Sequence, residues 1–137
     1  MQWWLWLRDQ WRLLSQPLSL GQRGEREAER FLRKLGYVIV ATSTRSKLGE
    51  IDIVAVDGRT VVFVEVKTRS SIEAGHPAEA VDIHKQRRLT RAALGYIKRH
   101  QLQDSPARFD VIAITWAHPK QKPKLEHYRN AFEAVEL

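Results

Sequence analysis

Cysteine is absent from this 137-residue sequence, which excludes disulfide bonds and zinc sites built on thiolate ligands. This absence fits a reducing compartment, and we expect the protein to be cytoplasmic. Runs of about 18 apolar residues, as a membrane-spanning helix requires, are also missing, so we expect no integral membrane association. The sequence has no HExxH motif, glycine-rich phosphate loop or nucleophile elbow, which argues against metalloprotease, P-loop and serine-hydrolase chemistry.

Acidic residues are fewer than basic ones. The chain has 23 Lys and Arg against 16 Asp and Glu, and its net charge is +7 at pH 7. Such an excess is typical of proteins that bind a polyanion, so we expect nucleic acid as the partner. A hydrophobic content of 43% at this length is enough for one buried core, which predicts a single domain over residues 18–137.

Residues 1–17 form a Trp-rich extension before this domain. In a helix, Trp4, Leu7, Trp11 and Leu14 would lie on one face. The segment lacks a basic n-region and a small-residue cleavage site, which argues against a secretory signal. Two interpretations stay open: a helix that packs on its own domain or on a second copy, as in a homodimer, and a helix that contacts a membrane surface.

Apolar periodicity and turn signals after Pro17 predict an α/β domain, a mixed sheet flanked by helices. The predicted elements are a helix from near Leu20 to Gly36 with a Ser19/Gln22 capping box, a strand Tyr37–Ala41, a polar loop to Gly49, a hairpin of strands Ile51–Val56 and Val61–Thr68, a loop Arg69–Pro77, a long helix capped by Asp82, a strand Phe109–Trp116 and a last strand Leu125–Tyr128.

Charged residues interrupt both apolar strands of the predicted hairpin. Antiparallel pairing about Asp57 and Gly58 predicts that Asp52 lies directly across from Glu65, and Glu50 across from Lys67. Side chains opposed in this way are about 4.5–5.5 Å apart at Cβ, so the Asp52 and Glu65 carboxylates could share one ion.

A divalent cation would relieve the repulsion between two such carboxylates, and Mg²⁺ or Mn²⁺ bound there could polarise a phosphodiester. Lys67 would then orient water or offset developing negative charge, and Glu25 on the first helix is the best candidate for a third acid. The alternative is that Asp52 and Glu65 form ordinary ion pairs with Lys67 and Arg69 on the sheet surface.

The long helix supplies a basic surface. From His84 to His100 it has six Lys and Arg and no acid, which indicates phosphate contacts. The residues that we expect to bind nucleic acid are Lys85, Arg88 and Arg91 on this helix, Arg45 and Lys47 in the loop before Glu50, and Arg69 after the hairpin.

Several motifs resemble those of the YraN family of small bacterial proteins. They are Gly24-Glu25, Gly36-Tyr37, Gly49-Glu50-Ile51-Asp52, Phe63-Val64-Glu65-Val66-Lys67-Thr68-Arg69, Gly75-His76-Pro77 and Arg108-Phe109-Asp110-Val111, within a match from about Gly21 to Phe132. The family is similar in turn to archaeal Holliday-junction resolvases and to the PD-(D/E)xK nuclease superfamily. The Trp-rich extension lies outside the resemblance.

The resemblance implies a restriction-endonuclease-like α/β core with a metal site. It places Asp52 at the superfamily's motif aspartate, Glu65 and Lys67 at its Glu-x-Lys pair, and Glu25 at its helix-one glutamate. Ile51 stands where the superfamily has proline before the aspartate, a departure that changes no ligand.

Two functions therefore stay open. One is a metal-dependent endonuclease that cuts DNA, with branched or flapped structures as candidate substrates. The other is a nucleic-acid-binding module that keeps the nuclease fold and cuts slowly or not at all. A membrane-surface or scaffold protein that uses the Trp-rich helix is a third class.

Overall fold

The computed structural model describes residues 3–4, 17–70 and 81–137. Over 17–70 and 81–137, the helices are α1 (Leu20–Lys34) and α2 (Ile83–Arg99), and the strands are β1 (Val38–Ser46), β2 (Gly49–Asp57), β3 (Thr60–Arg69), β4 (Ala107–Thr115) and β5 (Lys124–Phe132). Residues 5–16 of the Trp-rich extension and residues 71–77 of the predicted loop lie outside the described residues.

The strands form one five-stranded sheet in the order β1-β2-β3-β4-β5. β3 and β4 are parallel and the other neighbouring pairs are antiparallel. The predicted mixed α/β sheet with flanking helices is thus confirmed, and it is compatible with a restriction-endonuclease-like core. In the described part of the chain, no helix is long and apolar enough to cross a membrane.

The helices cover opposite faces of the sheet. Successive side chains of a strand point to alternate faces, so β3 packs against both helices. Val61 and Phe63 of β3 pack in the cluster that contains the apolar stripe of α2. Val62 and Val64 pack in the cluster on the α1 side, around Leu32. Burial of each such side chain stabilises the fold by about 1.5–3 kcal/mol, and burial on both sides explains why β3 is a nearly continuous apolar run.

The predicted start of α1 and its Ser19/Gln22 capping box are confirmed. Ser19 Oγ accepts from the Gln22 amide at 3.2 Å, and Gln22 Oε1 accepts from the Ser19 amide at 2.9 Å. Gly24 brings α1 against the end of β3, because a Cβ at this position would lie 1.9 Å from Thr68 Oγ1. The first turns of α1 therefore lie beside the end of the strand that carries Glu65.

Some predicted boundaries are wrong. The polar segment after Ala41 is not a loop but the second half of β1, because its backbone pairs with β2 through Thr42↔Ile53, Thr44↔Ile51 and Arg45↔Glu50. Edge strands such as β1 tolerate polar side chains, since one side of the strand faces water. β3 likewise extends to Arg69, and β5 extends to Phe132.

A buried polar network around Asp110 connects β4 with β5. Asp110, which is fully buried, accepts from Arg108 Nε at 3.0 Å, lies 2.8 Å from His127 Nε2 and accepts from the Asn130 amide at 3.0 Å. Burial opposes ionisation, yet the hydrogen bonds of His127 and Arg108 hold the pKa of Asp110 below its ordinary value. The network joins β4 to β5 and serves the fold.

Candidate metal and nucleic-acid site

The candidate site begins where the pairing of β2 with β3 ends. The two strands pair from Asp57↔Thr60 to Ile53↔Val64, the register that the hairpin signal predicts. The ladder does not continue to Asp52 and Glu65. The predicted direct opposition of these two residues is therefore wrong, and so is that of Glu50 and Lys67, because β2 separates from β3 at this point.

Asp52 fills the gap between the separating strands. Its Oδ2 accepts a hydrogen bond from the Val66 amide at 2.9 Å, so the carboxylate takes the place of a backbone acceptor. This hydrogen bond, rather than strand pairing, places Asp52 beside Glu65. The two side chains interact through a hydrogen bond as well as through their charges.

Burial raises the pKa of Asp52 to about 7. The charges of Glu65 and then of Glu25 act in the same direction, whereas the hydrogen bond from the Val66 amide opposes the shift. The physical cause is that a half-buried carboxylate next to other carboxylates loses hydration without gaining a countercharge. Near neutral pH Asp52 therefore favours either a bound proton or a bound cation.

Glu65 is buried, with 7% of its surface exposed, and it lies next to a cationic side chain. Lys85 Nζ of α2 lies 2.5 Å from Glu65 Oε1. Asp82 caps α2 by accepting from the Lys85 amide at 2.9 Å, which fixes the first turn of the helix at the site. Glu65 thus forms an ion pair with the helix packed above the strand, a partner that differs from the Lys67 and Arg69 of the alternative interpretation.

These groups line an open cavity of about 310 Å³ between the sheet and α2. The described lining residues are Gly49, Glu50, Asp52, Glu65, Lys85, Arg88 and Leu89. Gly49 has φ +133°, a backbone conformation that favours glycine, and it places the turn before Asp52 beside Ala92 of α2. Lys67 is partly buried two residues after Glu65 and does not line the cavity.

Glu25 does not line this cavity but a separate depression between α1 and β1. Its Oε2 accepts a hydrogen bond from Ser43 Oγ at 3.2 Å, and its charge contributes to the raised pKa of Asp52. It does not complete a three-acid centre, since no group of three or more His, Asp or Glu within 17–70 and 81–137 is placed to hold a metal ion.

The predicted nucleic-acid contacts fall into three groups. Arg88 and Arg91 are exposed on α2, and Arg88 lines the cavity, whereas Lys85 is engaged by Glu65. Arg45 is exposed near the end of β1, with its Nε 3.7 Å from Glu50 Oε1, and Lys47 is exposed in the turn between β1 and β2. Arg69 ends β3, and its carbonyl accepts from the Trp116 amide at 2.9 Å.

Comparison with known proteins matches residues 24–114 to the model of the uncharacterised protein family UPF0102. The chain belongs to this family. It is 46% identical over 125 residues to a UPF0102 protein of Rhodopirellula baltica, across 89% of this chain and 75% of the relative. It is 50% identical over 114 residues to one of Geobacter sulfurreducens, across 83% and 88%, and 43% identical over 119 residues to one of Rhodococcus opacus, across 87% and 100%.

The UPF0102 match contains Glu25 and all the described residues that line the candidate cavity. It includes α1 from Gly24 onward, the β2–β3 hairpin and α2, but not the Trp-rich extension or β5. The expected resemblance to the YraN family is therefore confirmed at the level of the family.

Two features of the UPF0102 site were not predicted from sequence. The Asp52 contact with the Val66 amide needs a break in strand pairing, for which the only local signal is a charged residue inside an apolar run. The Lys85–Glu65 pair had a stronger signal, because the Asp82 cap places Lys85 in the first turn of α2.

Proposed function

We propose that the protein is a metal-dependent endonuclease that hydrolyses phosphodiester bonds in DNA. The observation that carries the proposal is the meeting of Asp52 and Glu65 in one open cavity, with burial and mutual repulsion raising the pKa of Asp52 to about 7. Two carboxylates held together in this way disfavour full ionisation unless a cation joins them.

The donor set fits a hard divalent cation. Asp52 and Glu65 supply carboxylate oxygens, and Mg²⁺ is commonly held by one or two carboxylates with water in its remaining positions. The cavity of about 310 Å³ leaves room for water and for a phosphate oxygen. A bound Mg²⁺ or Mn²⁺ would supply Lewis-acid polarisation of the phosphoryl group and a more acidic water.

The cationic side chains around the carboxylates have distinct tasks in this proposal. Arg88, which lines the cavity, would bind a phosphate oxygen and orient the scissile group. Lys85 holds Glu65 in place and offsets its charge. Lys67, which strand alternation places on the Glu65 face of β3, would offset negative charge that develops on the phosphate.

A non-catalytic nucleic-acid-binding module is the second candidate, and one observation favours it. Lys85 Nζ already lies 2.5 Å from Glu65 Oε1, so part of the negative charge of the site is neutralised without a metal. In this case the carboxylates would position α2 by an ion pair, and the exposed cations Arg88 and Arg91 would bind the backbone of a nucleic acid.

A cleavage and binding screen separates the two candidates. The protein is incubated with single-stranded, duplex, flapped and four-way-junction DNA and the matching RNAs, in Mg²⁺, Mn²⁺ or EDTA. The endonuclease proposal expects metal-dependent cleavage of DNA that Asp52→Asn and Glu65→Gln abolish. Asp104→Asn, which removes an exposed carboxylate in the loop before β4, is the control. Binding without cleavage under any metal favours the second candidate.

Further variants separate binding from chemistry. Lys67→Ala should reduce cleavage far more than binding, the pattern of a group that acts mainly in the transition state. Arg88→Gln and Arg91→Gln should weaken binding to all sequences and make the slope of log affinity against log salt shallower by roughly 0.7–0.9 for each phosphate that is no longer neutralised. Parallel reductions of binding in the Lys67 and helix variants, without cleavage by the parent, would contradict the endonuclease assignment.

A further inference from the structure

A second basic surface lies on the α1 face of the sheet. α1 and the connection between β4 and β5, residues 116–123, enclose an open groove of about 370 Å³. The Trp116 amide donates to the carbonyl of Arg69 at 2.9 Å, which places the groove beside the end of β3. It is therefore at the same end of the sheet as Asp52 and Glu65, but on the opposite face from α2.

The base of this α1 groove is pre-organised by contacts within the protein. The Arg23 guanidinium lies over the Trp116 ring, 4.6 Å from its centroid, and Nη2 donates to the Pro119 carbonyl at 3.2 Å. These contacts hold a partly buried arginine in one position, so little side-chain entropy would be lost when it binds an anion. Trp116 is only 4% exposed and offers no free ring face for a nucleic-acid base.

Positive charge dominates the α1 groove. Its described lining includes five cationic side chains, which are Arg23, Arg26, Arg30, Lys120 and Lys122, and a single carboxylate, Glu27. Glu27 Oε1 is occupied by Arg30 Nη1 at 3.0 Å. No carboxylate of residues 17–70 or 81–137 forms an ion pair with Arg26, Lys120 or Lys122.

We propose that the α1 groove binds the phosphodiester backbone of a nucleic acid that continues past the carboxylate site, an inference that rests on the proposed function. α2 and the α1 groove flank one end of the sheet from its two faces, so a nucleic acid that bends or branches around this end contacts both. The contacts go to phosphates, since the buried Trp116 leaves no ring for base stacking, and binding in the groove is independent of sequence.

The test compares two triple variants that remove the same charge. The groove variant is Arg26→Gln/Lys120→Gln/Lys122→Gln, and the control is Arg33→Gln/Lys34→Gln/Arg59→Gln, at exposed positions in the last turn of α1 and in the turn between β2 and β3. These positions lie toward the end of the sheet away from Asp52, because β1 begins after α1 with Val38 opposite Val56, and Arg59 follows the end of β2 at Asp57. Affinity for flapped and four-way-junction DNA is measured by fluorescence anisotropy at several salt concentrations, in Ca²⁺ to avoid cleavage, with thermal unfolding as the check on folding.

The groove variant should bind roughly eightfold more weakly at 0.1 M salt for each phosphate that it no longer neutralises, because counterion release gives a slope of about 0.9 per neutralised phosphate. The slope of log affinity against log salt should become shallower by the same amount, while the control stays within twofold of the parent. The double variant Lys120→Gln/Lys122→Gln, confined to the connection after β4, should show a smaller effect of the same kind.

Equal affinities of the groove and control variants would overturn the proposal. If Arg88→Gln/Arg91→Gln weakens binding and the groove variant does not, the groove assignment fails and the proposed function stands. If the parent binds none of the nucleic acids, both fail together.

Discussion

Replacement of Asp52 by Asn should stabilise the metal-free protein at neutral and alkaline pH. The carboxylate of Asp52 is half-buried, repelled by Glu65 and accepts one backbone hydrogen bond, from Val66 at 2.9 Å. An asparagine keeps the acceptor for Val66 and can donate its amide to Glu65, but it carries no charge. The substitution therefore removes the electrostatic penalty while it preserves the shape and the backbone contact.

The magnitude follows from the pKa of Asp52, which is raised from 3.8 to about 7. A pKa difference of one corresponds to about 1.4 kcal/mol, so ionisation of Asp52 disfavours the folded state by up to about 4 kcal/mol. Below pH 3.8 both states are protonated and the penalty vanishes. It grows as the pH rises, because the unfolded chain ionises first, and it becomes constant above the folded pKa of about 7.

Urea unfolding of both proteins in EDTA, at intervals between pH 4 and pH 9, measures this difference. We expect Asp52→Asn to gain about 2–4 kcal/mol at pH 8, since the buried amide retains some desolvation penalty of its own. Saturating Mn²⁺ should stabilise the parent and not the variant, because only the parent keeps both carboxylates. A variant that is less stable than the parent at pH 8, or a difference that does not change with pH, would refute the reasoning.

Three further changes test other parts of the structure. Lys85→Gln should tighten Mn²⁺ binding in calorimetry, because it removes the ammonium that occupies Glu65; weaker binding would show that Lys85 positions the carboxylate for the ion. Asp110→Asn should destabilise the protein by about 1.5–3 kcal/mol in urea at pH 7, because it removes the buried carboxylate that Arg108 and His127 contact, while Arg108 keeps its ion pair with Asp57; a change under about 1 kcal/mol would contradict the role of the network. Gly24→Ala should cost about 1–3 kcal/mol of stability, since its Cβ would lie 1.9 Å from Thr68 Oγ1, and Thr68→Ala should recover part of this stability in a double-mutant cycle.

Local signals in the sequence were enough for the secondary structure that surrounds the site. Ser19 and Gln22 form the predicted capping box, and Asp82 caps α2 as expected. Asp57 and Gly58 set the register of the hairpin as far as Ile53. Each of these features depends on residues within a few positions along the chain, whose hydrogen bonds and turn preferences can be derived without the rest of the fold.

The geometry of the candidate site depended on tertiary structure. The sequence placed charged residues in apolar strands, which predicted a polar site, but it extended the hairpin register through Asp52. Only the structure shows that the strands separate there and that the Val66 amide binds the Asp52 carboxylate. Likewise, a polar segment that sequence patterns assign to a loop forms the second half of β1, because β1 lies at the edge of the sheet.

The partners of the charged residues were also decided by packing. Lys85 contacts Glu65, Arg108 contacts Asp57, and Arg23 lies over Trp116, pairs that are far apart in sequence. By itself the sequence determined which residues are charged, which strands are apolar and where the helices begin. Which charges meet depends on how α1 and α2 pack on the two faces of the sheet, because hydration and Coulomb energy change steeply with burial and distance.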